Sequence, residues 1–238
     1  MNTELIDYQA DNLTMQGFVA RNTSNAPQSI VLVVHDWSGC RDLAQNKAKY
    51  FAELGYVGFA VDLYGKGKRG SDTDNSINQD LMGALMQDRS LIVQRLQAAL
   101  DCAGNLPNVN THKVMLIGFC FGGLCALDFA RSGANVAGVV SVHGLFFKPE
   151  VNSNAKITAK ILAMHGYEDK MVTPQLLAEF HAEMTSRGAD WQTHVFGNTF
   201  HAFTNPKAND SKIGLHYNSA ADNRTWPIVN SFAAELLS

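Results

Sequence analysis

The chain has 238 residues, 46% of them hydrophobic, and a formal net charge of −3 from 19 basic and 22 acidic side chains. A mildly acidic chain of ordinary composition carries no electrostatic footprint for nucleic acid or for an anionic membrane surface. At this length one α/β domain over residues 1–238 accounts for the sequence, burying roughly 70–75% of its unfolded surface without a disulfide or metal staple.

The opening MNTELIDYQADNL is polar and acidic, so a secretory signal is not expected there. Residues 3–9 and 15–21 read as the two strands of an opening hairpin. Residues 30–34, IVLVV, form a β-branched run of strand length, the pattern of a strand buried on both faces. No apolar run approaches the ~20 residues of a membrane helix. Residues 41–54 place Leu43, Lys47, Tyr50, Phe51 and Leu54 at helical spacing, and Gly55 is the expected C-cap. A strand follows over 57–62 and a polar loop over 65–76. One long helix is predicted over 79–103, with Leu81, Leu85, Ile92, Leu96, Ala99 and Leu100 on one side. Strand 114–119 leads into helix 121–132. Strands 136–142 and 161–165, helix 174–187, strand 191–196 and helix 224–237 complete the pattern. Strands alternating with helices predict a mainly parallel sheet covered on both faces, with its chemistry at the carboxyl ends of the strands.

Four cysteines are too few for a disulfide framework, and a reducing, cytoplasmic setting is expected. One of them stands out. Strand VMLIGFC runs into FGGLCALDFA, giving Gly118-Phe119-Cys120-Phe121-Gly122, a nucleophile-elbow pattern with cysteine in place of serine. Such a turn strains the backbone at the nucleophile, and the flanking glycines let strand and helix approach. Cys120 also falls at a helix N-terminus, where the dipole favours a thiolate. The competing reading is a small buried core residue, cysteine's commonest fate. That reading is preferred for Cys125, while Cys40 and Cys102 lack metal or redox spacing. No HExxH or CxxC pattern points to a metal, and no cofactor is expected.

A cysteine nucleophile needs a base and an orienter for that base. In this fold the order along the chain is nucleophile, acid, histidine. Asp169 lies in the loop after strand ILAMHG, with Glu168 as its weaker rival. His201 lies in the loop after the last strand, between Phe200 and Phe203. His143 and His165 also end predicted strands, as site-lining or core histidines. His181 and His194 read as surface positions.

Together these segments resemble the dienelactone hydrolases, small α/β-hydrolases without a cap domain that use a Cys-His-Asp triad. The likeness runs through VLVVHDWSG, GYVGFAVDLYG, GFCFGG, MHGYEDKMVTP and FHAF, nearly the whole chain. It implies that Cys120, His201 and Asp169 form the triad, and that the Trp37 and Phe121 N–H groups form the oxyanion hole. It also implies that Asp36, where the family has Glu, contacts the resting thiol. The family holds its substrate's carboxylate with arginines, one of them four residues after the catalytic histidine, where this chain has Asn205. Residues 71–88 contain no Arg or Lys, Arg89 and Arg95 read as solvated, and Lys66, Lys68 and Arg69 read as loop surface. The pocket is therefore expected to be neutral, with Phe200, Phe203, Asn205 and His143 lining it. The expected activity is hydrolysis of small neutral activated esters or lactones. Metal-free hydrolysis of aryl phosphotriesters is the first alternative. A binding module on a hydrolase fold is the second, and an intact triad argues against it.

Overall fold

Asp11 and Asn12 both take positive φ (39° and 64°), and Ala10 pairs directly with Leu13. Two left-handed residues make the tight turn that hairpins favour, and Asp and Asn tolerate it best after glycine. It joins β1 (Asn2–Ala10) to β2 (Leu13–Arg21). The computed structural model describes residues 1–149, 155–210 and 212–238.

The remaining strands of the main sheet are β3 (Gln28–Val34), β4 (Val57–Val61), β5 (Val109–Phe119), β6 (Gly138–Val142), β7 (Lys160–Gly166) and β8 (Trp191–Phe196). Their order is β1-β2-β4-β3-β5-β6-β7-β8. The β1–β2 and β2–β4 pairs are antiparallel, and every pair from β4 to β8 is parallel. β3 shows why the run IVLVV is apolar throughout. Ile30, Leu32 and Val34 enter the core on one face of the sheet, whereas Val31 and Val33 enter the core on the other.

The first face is covered by α3 (Ser90–Gly104), α4 (Phe121–Arg131) and α5 (Pro174–Ser186), through residues such as Leu96, Phe129 and Phe180. The second is covered by α1 (Asp42–Glu53) and α6 (Ser219–Leu237), through Phe51 and Phe232. Removing one such buried phenylalanine costs about 3–5 kcal/mol. This is the α/β-hydrolase architecture, and no cap domain is present among the described residues. The chain leaves β3 to one side for β4 and returns on the other as β5, so strand order reverses between them. A crevice opens at the carboxyl ends of strands flanking such a reversal.

Three expectations need correction. The single helix over 79–103 is two, α2 (Asn75–Gln87) and α3. At the break, Asp88 Oδ1 accepts hydrogen bonds from the Ser90 N–H (3.1 Å) and hydroxyl (2.5 Å), capping the second helix. The closing helix starts at Ser219, ahead of the expected 224, because the Asn218 side chain accepts from the Ala221 N–H at 3.1 Å. A short ladder of β9 (Asn209–Asp210) with β10 (Leu215–His216) was not expected at all.

Candidate active site

β5 delivers Cys120 at φ 53° and ψ −117°, a backbone conformation that costs a non-glycine residue about 1–3 kcal/mol. Its neighbours show why glycine is required. A Cβ on Gly118 would stand 2.0 Å from the Gly122 carbonyl oxygen, and one on Gly122 would stand 2.3 Å from that of His35. The elbow therefore packs α4 directly onto the end of β3. Cys120 is half-buried at the N-cap of α4, and its N–H is shared between Val142 O (3.1 Å) and His143 Nδ1 (3.2 Å).

β7 delivers Asp169 and the segment after β8 delivers His201; both are buried. Asp169 Oδ1 accepts from the Met171 N–H at 2.8 Å, which fixes the carboxylate. Its Oδ2 meets His201 Nδ1 at 2.6 Å, a charge-assisted bond that sets the ring's orientation. His201 Nε2 is buried and has no partner of hydrogen-bonding geometry among the described residues. The Cys120 sulfur is nonetheless close enough to act on that ring. Burial alone would lower the His201 pKa, but the charge on Cys120, the bond to Asp169 and a hydrogen-bonding interaction with the Cys120 thiol overcome it and raise the value to about 10. The ladder between β9 and β10 braces this loop: His201 N–H donates to Gly214 O (3.2 Å), and His216 N–H donates to His201 O (3.1 Å).

The end of β3 supplies the opposite wall. The half-buried Trp37 has its carbonyl bound by the Tyr64 hydroxyl at 3.0 Å, and the Tyr64 ring stacks on Phe121 at 6.3 Å. Neither the Trp37 nor the Phe121 N–H has a backbone acceptor in a turn, loop or cap among the described residues. Asp36 does not reach the thiol by any hydrogen bond found among the described residues. Its Oδ1 instead accepts from the Ser38 N–H (2.9 Å) and hydroxyl (2.6 Å), closing its own turn.

The structure revises the expected pocket. Phe203 is fully buried in the core beneath α1 and α6, with its ring against His143 (5.2 Å) and Phe196 (5.5 Å). His143 is buried too, and both its nitrogens are used internally, Nε2 by Thr204 at 2.9 Å. Burial, reinforced by the His201 charge, pushes its pKa well down. Both residues therefore support the site from behind. Phe200 is half-buried, with its ring 5.3 Å from that of His216. Asn205 Oδ1 accepts from the Lys207 N–H at 3.0 Å and so caps a local turn. Arg89 and Arg95 are not solvated: Arg89 grips both oxygens of Asp128 at 2.6 and 2.7 Å, and Arg95 binds Asp11 at 2.7 Å. Lys66 pairs with Asp7, and Arg69 with the buried Asp62 at 3.4 Å. His165 is buried, its Nδ1 unpartnered among the described residues. Grooves of about 390 and 660 Å³ elsewhere on the surface touch none of Cys120, His201 and Asp169.

Two residues that the sequence reading passed over, His35 and Tyr64, hold the Trp37 loop. The available signal was their place at the ends of VLVVHD and VDLY, directly after the strands flanking the reversal. Among the described residues no group of three or more His, Cys, Asp or Glu is arranged to hold a metal, and no helix is long and apolar enough to cross a membrane.

A cysteine on a strained strand-to-helix turn, facing a histidine tied to an aspartate at the carboxyl edge of a parallel sheet, is the arrangement of a triad hydrolase on the α/β-hydrolase fold. Comparison with known proteins narrows the class. Residues 15–237 match the model of the dienelactone hydrolase family, and the chain belongs to that family. It is an enzyme of the ester-hydrolase class. A protein of Aquifex aeolicus (strain VF5), provisionally named a carboxymethylenebutenolidase, is 26% identical over 212 residues, covering 87% of this chain and 89% of its own. A solved structure of a dienelactone hydrolase-like promiscuous phosphotriesterase from metagenomic libraries is 29% identical, with a TM-score of 0.91, covering 100% of this chain and 99% of its own. The dienelactone hydrolase of Anabaena variabilis ATCC 29413 shares the fold at 18% identity and a TM-score of 0.71, covering 100% and 99%.

Proposed function

We propose that the protein hydrolyses small, neutral, activated esters or lactones by covalent catalysis through Cys120. The observation that carries this reading is the unpartnered Nε2 of a buried His201, whose other nitrogen is fixed by Asp169 at 2.6 Å. A raised pKa makes His201 a strong base, able to take the Cys120 proton as the sulfur attacks. The sulfur attacks the acyl carbon, and the N–H groups of Trp37 and Phe121 receive the oxyanion. His201 gives its proton to the departing alkoxide, leaving a thioester on Cys120. Neutral His201 then takes a proton from water, which attacks the thioester and expels the thiolate.

The neutral-substrate reading rests on charge. Asn205 stands where the family has an arginine. Arg89, Arg95, Lys66 and Arg69 are each bound to a carboxylate of this chain. A carboxylate substrate therefore finds no free clamp among these four, and of the five candidate cations only Lys68 has no carboxylate partner among the described residues. Matched aryl esters with and without a remote carboxylate test this. The neutral ester should have the higher kcat/KM, and a clear preference for the anionic one would refute the substrate class.

Aryl phosphotriester hydrolysis is the second reading, favoured by the phosphotriesterase neighbour. Cys120 would displace the aryl oxide at phosphorus, and water would then displace the thiolate, a better leaving group than a serine alkoxide. With excess triester and a chelator, many equivalents of phenol per enzyme are expected. One equivalent and no more would mean inhibition.

A further inference from the structure

We infer that His35 is a positioning residue for the oxyanion hole: it holds the Asp36–Trp37 peptide in the orientation that turns the Trp37 N–H toward the Cys120 elbow. The inference rests on the hydrolase reading above, since it needs an acyl oxyanion to serve.

His35 ends β3 and is 1% exposed. The Leu63 N–H donates to its Nε2 at 3.1 Å, so that nitrogen is bare, and in a neutral ring the proton then sits on Nδ1. Nδ1–H donates to the Asp36 carbonyl at 2.5 Å, and the Gly39 N–H is a second, longer donor to the same oxygen at 3.3 Å. Burial keeps the ring neutral by lowering its pKa, against the Asp36 carbonyl and the nearby Asp62 and Asp36 charges.

A trans peptide points its C=O and N–H in opposite directions. Drawing the Asp36 oxygen toward His35 therefore sends the Trp37 N–H the other way. The elbow lies close by, because the His35 and Val34 carbonyls stand 2.3 and 2.4 Å from where a Cβ on Gly122 would sit. The Asp36 side chain is engaged with Ser38, and Tyr64 holds the next peptide, at the Trp37 carbonyl. That leaves His35 as the closest donor on the plane that matters. A flip of this peptide would present a carbonyl where the oxyanion must form, and repel it.

Two substitutions separate the ring's two bonds. His35→Asn keeps a donor near the position of Nδ1, whereas His35→Gln keeps an acceptor near Nε2 and loses the donor. On a p-nitrophenyl ester, His35→Gln should lower kcat about 10- to 100-fold, part of the 10²–10³-fold that a lost oxyanion donor costs, with KM within about twofold. His35→Asn should recover most of that loss. Alkylation of Cys120 by iodoacetamide forms no oxyanion, so its rate should match the wild type in both variants and should count the folded sites. Trp37→Pro deletes the N–H itself at the second position of the Asp36–Gly39 turn, where proline is well tolerated. Against Trp37→Ala as the side-chain control, it should lose about 10²–10³-fold in kcat. Wild-type kcat in His35→Gln, equal losses in His35→Gln and His35→Asn, or Trp37→Pro no worse than Trp37→Ala would each overturn this inference alone. A wild-type enzyme still active after Cys120 is fully alkylated would overturn the hydrolase reading and this inference with it.

Discussion

Two buried ionic groups flank the carboxyl half of the sheet, and they are finished differently. In one, Arg131 is 2% exposed, and its five donors all find acceptors: Glu183 through Nε (3.1 Å) and Nη2 (2.9 Å), Asp128 through Nη1 (3.2 Å), and the carbonyls of Phe146 (3.1 Å) and Phe147 (3.2 Å). Arg89 adds its grip on Asp128, so α3, α4 and α5 are tied together with the chain after β6. In the other, His201 and Asp169 are as deeply buried, yet Nε2 makes no hydrogen bond of full geometry among the described residues and the ring's remaining interaction is with the reactive Cys120 thiol. With every Arg131 donor satisfied, this network holds elements in place, although the neighbouring Arg187 Nη1, 3.6 Å from Glu183 Oε1, has no hydrogen-bond partner among the described residues. An ion pair with one valence open beside a strained cysteine is prepared for a visitor. An unsatisfied buried polar group is costly, and it persists here where chemistry can use it.

If this contrast is right, breaking the two groups should damage different properties. The largest effect on turnover is expected at the open pair. His201→Ala should lower kcat per folded molecule about 10²–10⁴-fold, the usual contribution of a positioned acid–base group, and, because it leaves the buried Asp169 without its partner, it should lower the melting temperature at neutral pH as well. His143→Ala should act mainly through stability, because its nitrogens face inward; a loss of kcat equal to that of His201→Ala would reassign the base.

At the closed network the expectation reverses. Glu183→Gln leaves Arg131 buried and undercompensated, and should cost about 3–5 kcal/mol in denaturant unfolding while kcat per folded molecule stays at wild type. A loss of turnover per folded molecule would show that the network serves the site directly.

A smaller and more specific effect is electrostatic. The charge on Cys120 helps hold the His201 pKa near 10, so Cys120→Ala should let it fall, as followed by imidazole NMR. A folded value raised above the ordinary 6.5 adds stability that is fully present below that pH and fades as pH climbs toward 10. The wild type should thus lose melting temperature from neutral pH to pH 10 more steeply than His201→Ala does. Smallest of all, Lys66→Ala removes an exposed pair with Asp7 and should leave both kcat and melting temperature unchanged.

Much of the frame was legible in the residues. The apolar run at 30–34 must be buried on two faces, and the glycines around Cys120 leave room for little except a sharp elbow. Order along the chain singled out Asp169 and His201, which the fold brings to 2.6 Å. What escaped depends on partners far away in sequence. Arg89 looked like a solvated helix residue because Asp128, 39 positions on, is what buries it. The same residue sits at the helix break, which apolar spacing alone runs straight across. Phe203 has the composition of a pocket residue, and only the path of the chain after His201 turns it into the core. Asp36 could reach either the thiol or its own turn, and the nearer Ser38 takes it.

The central claim is that acyl groups pass through Cys120. Quenching the enzyme in acid during turnover of a p-nitrophenyl ester, and mapping the added mass by peptide mass spectrometry, tests it most directly. One acyl group on the peptide bearing Cys120, released by hydroxylamine as a thioester should be and missing in Cys120→Ala, is the predicted result. Steady turnover with Cys120 unmodified, or persisting in Cys120→Ala, would contradict the account.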